Sequence, residues 1–152
     1  MQSFAGLLHG TIHWVSPSMR SVLDALAECG GVFGTAGFFA ARLRFRDRHH
    51  LARALAREGL PPLQELAGWI RVLSWLLHWE QDEIALCRLA IEVGADPAAY
   101  YRTVKRLTGE NWSAVRRRGV AWLLDRLVDR CRRGGAQVAA CDGVRRFVDL
   151  QA

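Results

Sequence analysis

An all-α fold is predicted for this chain by three features of its sequence. Apolar residues recur at three- and four-residue steps, which is the period of an amphipathic helix. Glycines and an Asp-Pro pair stand where such helices would end and begin. A tryptophan-rich stretch near the middle carries an apolar stripe about five helical turns long. These features predict two helix-turn-helix subdomains joined by a long central helix.

The composition indicates a basic chain with enough hydrophobic residues to form a core. Its 152 residues are 51% hydrophobic, enough for one ordinary domain or for two small helical subdomains that share a core. Lysine and arginine number 21 against 15 aspartates and glutamates, so the formal charge is +6, and Lys105 is the only lysine. Because arginine suits bidentate contact with phosphate and guanine, this balance favours a polyanionic partner. The alternative is a solvated basic surface with no such partner.

The most informative stretch runs from residue 89 to residue 109 and predicts a helix, a turn of about three residues and a second helix. In the first helix three positions are expected to face inward, namely Leu89, Ala90 and Val93. Gly94 supplies the positive φ that ends this helix. Asp96 is an N-cap, and Pro97 occupies the first position of the next helix.

The second helix of this stretch has two distinct faces. The inward stripe recurs at i, i+4 and i+7 and consists of Tyr100, Val104 and Leu107. The outward face is small at its start and basic further along, with Ala98, Tyr101, Arg102 and Lys105. In a helix-turn-helix such a face enters the DNA major groove, whereas the same pattern also occurs in a helical hairpin that is only part of a core.

A second, weaker helix-turn-helix is predicted earlier in the chain. Thr35 is expected to cap a helix that continues to Leu43, and residues 44–47 turn into a helix from Arg48 to Glu58, which Gly59 stops. The inward positions of that second helix are Leu51, Ala52 and Leu55, and the outward ones are His49, His50, Arg53 and Arg57. Between residues 42 and 57 six arginines stand against one aspartate, a net charge of +5. The positive charge is therefore concentrated where a first recognition helix is expected.

The central helix is predicted from about Pro62 to Trp79, within a linker segment 61–80. Its continuous stripe consists of Leu63, Leu66, Ile70, Leu73 and Leu77. Further large side chains extend the stripe around the helix, namely Trp69, Val72, Trp75, Leu76 and Trp79. A helix that is apolar nearly all round is buried on several sides, so these residues are assigned to the core.

The remaining segments complete the predicted domain organisation. Residues 1–17 form an apolar segment with a short helix through Leu8, Ile12 and Val15, and the first subdomain spans 18–60, opening with a helix capped by Ser18. The second subdomain spans 81–133, where Asp82 and Glu83 are expected near the start of its first helix. Its C-terminal helix begins at Ser113 and is ended by the Gly134-Gly135 pair. The tail 134–152 is expected to form a short helix or strand.

Catalytic, metal and membrane roles are not predicted. The chain shows no acid pair, no nucleophile with a nearby base and no phosphate loop, so an enzyme is not expected. Neither a cofactor nor a metal site is expected, because the four cysteines are scattered: Cys29, Cys87, Cys131 and Cys141. They are typical of reduced, mostly buried cytosolic thiols. Without a signal peptide or a spanning apolar run, the expected location is the cytoplasm.

The stretch 89–109 resembles the second helix-turn-helix of AraC/XylS-type transcriptional regulators. The positions that match that pattern are Leu89-Ala90, Gly94 and Lys105-Arg106-Leu107-Thr108-Gly109. Ala95 stands where the family usually has an aromatic residue, and Trp112 where it usually has proline. The resemblance covers about residues 21–118 and implies two DNA-binding units joined by a long helix. If this chain is the full protein, the resemblance also implies a stand-alone regulator, since the large N-terminal ligand-binding or receiver domain common in the family is not represented in this sequence.

The resemblance implies a sequence-specific double-stranded DNA-binding transcriptional regulator whose two recognition helices read successive major grooves. The residues expected to contact DNA lie on those helices and just after the second one: Arg46, Arg48, His49, His50, Arg53, Ala98, Tyr101, Arg102, Lys105, Arg106, Arg116 and Arg117. A monomer or weak dimer is expected, with RNA polymerase or another protein as a further partner. The alternative is a protein-protein interaction module that keeps the fold and binds DNA only non-specifically.

Overall fold

The computed structural model describes the backbone of residues 3–151 and the side chains of residues 3–134. This part of the chain contains α-helices and no β-strand, so the predicted all-α fold is confirmed. The helices are α1 Phe4–Thr11, α2 Pro17–Glu28, α3 Ala36–Arg42, α4 Arg48–Arg57, α5 Leu63–Asp82, α6 Leu86–Glu92, α7 Pro97–Thr108 and α8 Trp112–Gln151. None of the described helices is long and apolar enough to cross a membrane.

The ends of the helices follow the capping residues that the sequence provides. The side chain of Thr35 accepts a hydrogen bond from the N–H of Phe38 and begins α3. Asp96 caps α7 in the same way and Pro97 follows it as the first helical residue, as predicted. Positive φ angles at Gly94 and Gly109 close α6 and α7, because glycine alone adopts this conformation without a Cβ clash.

Helix α5 is the centre of the core. The predicted stripe is buried along most of its length, and α5 contacts α2, α6, α7 and α8. Trp75 on α5 stacks on Tyr100 of α7 with ring centroids 4.1 Å apart and an interplanar angle of 18°. At Gly68 a Cβ would lie 2.9 Å from the side chain of Leu107, so the small residue lets α7 approach α5 closely.

Two pairs of short helices lie in sequence on either side of α5. Helices α3 and α4 contact each other across a connection of five residues, 43–47, and α6 and α7 contact each other across four residues, 93–96. The second connection is one residue longer than the predicted turn. Bounds predicted for these helices agree closely with the observed ones, including the start of α4 at Arg48 and its end before Gly59.

The C-terminal helix departs from the prediction. It was expected to end at Gly134-Gly135, yet α8 runs to Gln151, since a glycine ends a helix only where it adopts a left-handed conformation and otherwise costs about 1 kcal/mol in the helix interior. The tail is therefore helical, which is one of the two predicted alternatives, but its backbone extends α8 and does not form a separate short element. A sharp break occurs instead at Gly119, with φ 86° and ψ 178°. There the N–H of Val120 donates to the carboxylate of Glu80 at the end of α5.

Other local predictions were wrong for identifiable reasons. Helix α2 is capped by Ser16 rather than Ser18, because Pro17 suits the first helical position. Asp82 and Glu83 do not open α6: Asp82 ends α5, and Glu83 closes it in a left-handed conformation. The thiols are not mostly buried, since Cys131 is buried and two others are exposed, namely Cys29 and Cys87; the side chain of Cys141 lies outside the described residues.

Candidate nucleic-acid interface

Helix α4 presents a basic face to solvent. Arg48, His49 and Arg53 are exposed there, as is Arg57 in the last turn. Leu51 and Leu55 anchor the opposite side in the core, together with Ala54. Ala52, which was predicted to face inward, is exposed instead, because the buried stripe of α4 follows residues 51, 54 and 55.

The turn before α4 is ordered by Asp47. Its carboxylate accepts the backbone N–H of His50 at 2.8 Å and thereby caps the helix. This hydrogen bond is the main cause that lowers the pKa of Asp47, and the nearby charge of Arg46 adds to it. The Arg46 guanidinium lies 3.5 Å from the same carboxylate while its side chain is 75% exposed. Arg46 therefore remains accessible to a ligand.

His50 is partly withdrawn from the predicted interface. It is half-buried, its Nδ1 accepts the backbone N–H of Arg46 at 3.3 Å, and its ring meets Phe45 edge-on with centroids 5.5 Å apart. These contacts give His50 a role in holding the turn that its helical position alone did not suggest. Only its Nε2 side is free of these contacts.

Helix α7 exposes the face that the sequence predicted. All five side chains of this face are exposed, namely Ala98, Tyr101, Arg102, Lys105 and Arg106. Val104 is fully buried on the other side, and Tyr100 and Leu107 are half-buried against the core. The small Ala98 stands in the first turn, so nothing bulky blocks the approach of a partner to the beginning of the helix.

Two of the three cations of α7, Arg102 and Lys105, already have partners within the chain. Arg102 lies 3.4 Å from the carboxylate of Asp96, and both side chains are mostly exposed. The ammonium of Lys105 donates to the carbonyl oxygen of Gly109 at 3.0 Å. Such exposed contacts are worth at most about 1 kcal/mol, so a polyanion can replace them at little cost.

The arginine triplet after α7 is divided between packing and exposure. The guanidinium of Arg116 lies 4.2 Å from the centre of the Trp79 ring, and its side chain is half-buried. Arg118 pairs with Glu110 at 3.3 Å and lies over Trp122. Arg117 is exposed. Arg116 is thus held against α5 by a cation–π contact, and Arg117 is the more accessible of the two residues that the sequence predicted to bind DNA.

Exposed apolar side chains near α7 were not predicted. Ile91 in the last turn of α6 is 66% exposed, Val93 in the connection after α6 is 70% exposed, and Tyr101 on α7 is 40% exposed. Val93 was predicted to face inward, but it follows the last residue of α6 and lies in the connection, where the helical period no longer applies. A further exposed aromatic residue is Phe38 on α3, at 64%.

These surfaces are rich in hydrogen-bond donors. In residues 3–134, no group of three or more His, Cys, Asp or Glu side chains is arranged to hold a metal ion. The exposed faces of α4 and α7 offer guanidinium, ammonium, imidazole and phenol groups, which are donors for phosphate and for base edges.

Comparisons of this chain with protein-family models, with curated proteins and with solved structures gave no match.

Proposed function

We propose that this protein is a transcriptional regulator that binds double-stranded DNA in a sequence-specific manner. The observation that carries the proposal is the presence of two contacting pairs of short helices, α3–α4 and α6–α7, whose second helices each bury one apolar stripe and expose a polar, largely basic face. A helix of this kind fits the major groove, where its side chains reach base edges.

Charge distribution supports a polyanionic partner. Of the residues proposed to contact DNA, seven have exposed cationic side chains, namely Arg46, Arg48, Arg53, Arg102, Lys105, Arg106 and Arg117. In this proposal Arg102 and the start of α7 read bases, while the arginines near α4 also hold phosphates. His49 is an ordinary polar contact on the same face.

The proposal includes a mode of binding. Two recognition helices in one chain would enter successive major grooves about one helical turn, or roughly 34 Å, apart, so that a monomer or weak dimer binds a non-palindromic site. Such a regulator acts in the cytoplasm and contacts RNA polymerase or another protein of the transcription machinery.

Selection from a random duplex library tests the proposal. The purified protein is incubated with the library at about 0.15 M salt, which suppresses non-specific phosphate binding, and the bound DNA is sequenced. Two enriched blocks about ten base pairs apart are expected if both helices read DNA. A single enriched block would restrict base reading to one helix, and no enrichment would refute the proposal.

A second candidate function is a protein-interaction module. It is favoured by the exposed apolar side chains of Ile91, Val93 and Phe38, which a DNA-binding surface does not require. This function predicts DNA binding that is weak, independent of sequence and lost steeply as salt rises. The same library selection therefore separates the two functions.

A further inference from the structure

A polar cavity of about 450 Å³ lies between the start of α2 and the turn that leads into α4. We name it the α2–α4 cleft. Its polar lining consists of three hydroxyls, two guanidiniums, one imidazole and one carboxylate: Ser16, Ser18, Ser21, Arg44, Arg57, His50 and Glu58. The residues come from three separate parts of the chain, so the cleft exists only in the folded protein.

The two arginines of the cleft are available for a ligand. Arg44 and Arg57 are exposed, and in the part of the chain that the structure describes neither forms an ion pair. Glu58 is already engaged, because one carboxylate oxygen accepts the N–H of Ser16 and the other accepts its hydroxyl. Two guanidinium charges against one carboxylate leave the cleft with an excess of one positive charge.

His50 also lines the cleft and adds an imidazole to its polar groups. Since Nδ1 accepts the backbone N–H of Arg46, the neutral imidazole carries its proton on Nε2. That N–H and the hydroxyl of Ser18 complement the guanidiniums, which bind phosphate oxygens in a bidentate manner. The hydroxyl of Ser21 already donates to the carbonyl oxygen of Pro17. The combination suits an oxyanion that needs several donors at once.

We propose that the α2–α4 cleft binds a phosphate group, and that in a DNA complex this group is a backbone phosphodiester beside the groove entered by α4. The identification of this group with a phosphodiester of the DNA backbone rests on the proposed function. One phosphodiester carries one negative charge and would neutralise the excess charge of the cleft. Bound there, it would fix the position of the duplex along α4 without reading a base.

Two measurements on the full chain test this inference. In the first, inorganic phosphate replaces chloride at constant ionic strength, and amide shifts of the ¹⁵N-labelled protein are followed by NMR. Saturable shifts are expected at Ser18, Ser21 and His50. They should vanish in the double variant Arg44→Gln/Arg57→Gln and persist in Arg20→Gln/Arg132→Gln, a control that removes the same charge from exposed positions outside the cleft.

The second measurement is the salt dependence of duplex binding. The cleft variant should bind about tenfold more weakly at 0.15 M salt, and the slope of log K against log salt should fall by about one, because one phosphate contact is lost. The control variant should keep the slope of the wild type. Failure of the wild type to bind DNA would refute the proposed function, while the phosphate shifts would still decide whether the cleft is an anion site.

Three results would overturn the inference in whole or in part. Absence of saturable phosphate shifts in the wild-type protein excludes the anion site. Equal shifts in the cleft variant and the control place phosphate elsewhere. Phosphate shifts that depend on the cleft, combined with an unchanged salt slope, would mean that the cleft takes a free phosphate compound and not the DNA backbone.

Discussion

Arg102 combines exposure with a weak internal partner. Its contact with Asp96 is 3.4 Å long and open to solvent, so the guanidinium is free to exchange the carboxylate for a base edge or a phosphate. Arg88 on α6 is a suitable comparison, since it forms a similar exposed pair with Glu92 at 3.2 Å outside the proposed interface. Comparing substitutions of Arg102 and Arg88 therefore separates the effect of a position in the proposed interface from the effect of losing a positive charge.

Replacing Arg102 with alanine is expected to weaken binding to the preferred DNA site by about 1–3 kcal/mol and to relax selectivity at one base position, because a bidentate guanine contact is lost. Fluorescence anisotropy with the selected site and with random duplex measures both effects. Arg88→Ala should leave selectivity unchanged. An equal loss on both duplexes would assign Arg102 to phosphate binding alone.

Cys131 gives the stability of the protein a dependence on alkaline pH. Burial raises the pKa of this thiol to about 11, whereas an unfolded chain titrates it near its ordinary value of 9.0. Between these values the native state holds more protons than the unfolded state. The contribution of Cys131 to stability is therefore fully present below pH 9 and decreases as the pH rises towards 11.

The prediction is that the urea midpoint of the wild-type protein falls more between pH 8 and pH 10.5 than that of Cys131→Ala. Other groups titrate in this range as well, but they are common to both proteins and cancel in the difference. Unfolding followed by tryptophan fluorescence supplies the midpoints. Parallel pH curves for the two proteins would show that the thiol is not shielded by burial.

At the scale of the helices, Gly31 determines how the connection after α2 passes over α5. It has a φ of +77°, and a Cβ at this position would lie 2.3 Å from the backbone oxygen of Ala67. Gly94 has a similar φ of +73°, yet nothing lies within 4 Å of its added Cβ. Gly37 lies within α3 with open space around it and an ordinary φ. Alanine substitutions at these three glycines therefore distinguish the cost of a left-handed backbone from the cost of a steric clash.

Alanine substitutions at these glycines should have effects of different size and sign. Gly94→Ala is expected to cost about 1–2 kcal/mol through the left-handed backbone alone, and Gly31→Ala more, because the backbone of α5 must also shift. Gly37→Ala should stabilise the protein by about 0.5–1 kcal/mol through helix propensity. Urea denaturation gives all three values. An equal loss of stability in Gly31→Ala and Gly94→Ala would mean that the backbone of α5 moves away from the added Cβ without a further loss of stability.

At the scale of the whole molecule, two helices connect the proposed DNA-binding units. Helix α5 contacts α2, α6 and α7, and α8 contacts α4, α5 and α7. A half-buried, bidentate ion pair fastens α8 to α5, with Arg130 Nε and Glu65 Oε1 2.6 Å apart. Because neither unit has a separate core, the distance between the faces of α4 and α7 depends on the integrity of both long helices.

Unfolding of the chain is expected to occur in a single transition, with coincident curves from tryptophan fluorescence and far-ultraviolet circular dichroism. Gly119→Ala should lower the free energy of unfolding by about 1–3 kcal/mol, since φ 86° with ψ 178° is a conformation that glycine alone adopts readily. Gly10→Ala, where an added Cβ meets nothing within 4 Å, is the control. Two separate transitions would contradict a shared core.

The sequence by itself determined the helices and most of their ends, because caps, prolines and glycines act within a few residues of the chain. Asp96 begins α7 as predicted, and most of the stripe of α5 is buried as its period required. Periodicity also identified the exposed face of α7. It failed at Val93, which lies just beyond a helix end.

Only the tertiary structure decided which charged groups remain free. The contact of Arg116 with Trp79 joins residues far apart in the sequence, as do the hydrogen bonds of Glu58 with Ser16. Among the residues that the structure describes, Arg44 and Arg57 in the α2–α4 cleft have no carboxylate partner. Helical period reports the side of a helix on which a residue lies, but not what the next helix places opposite it. The pairing of charges therefore follows from the packing of the helices, and so does the surface that a partner meets.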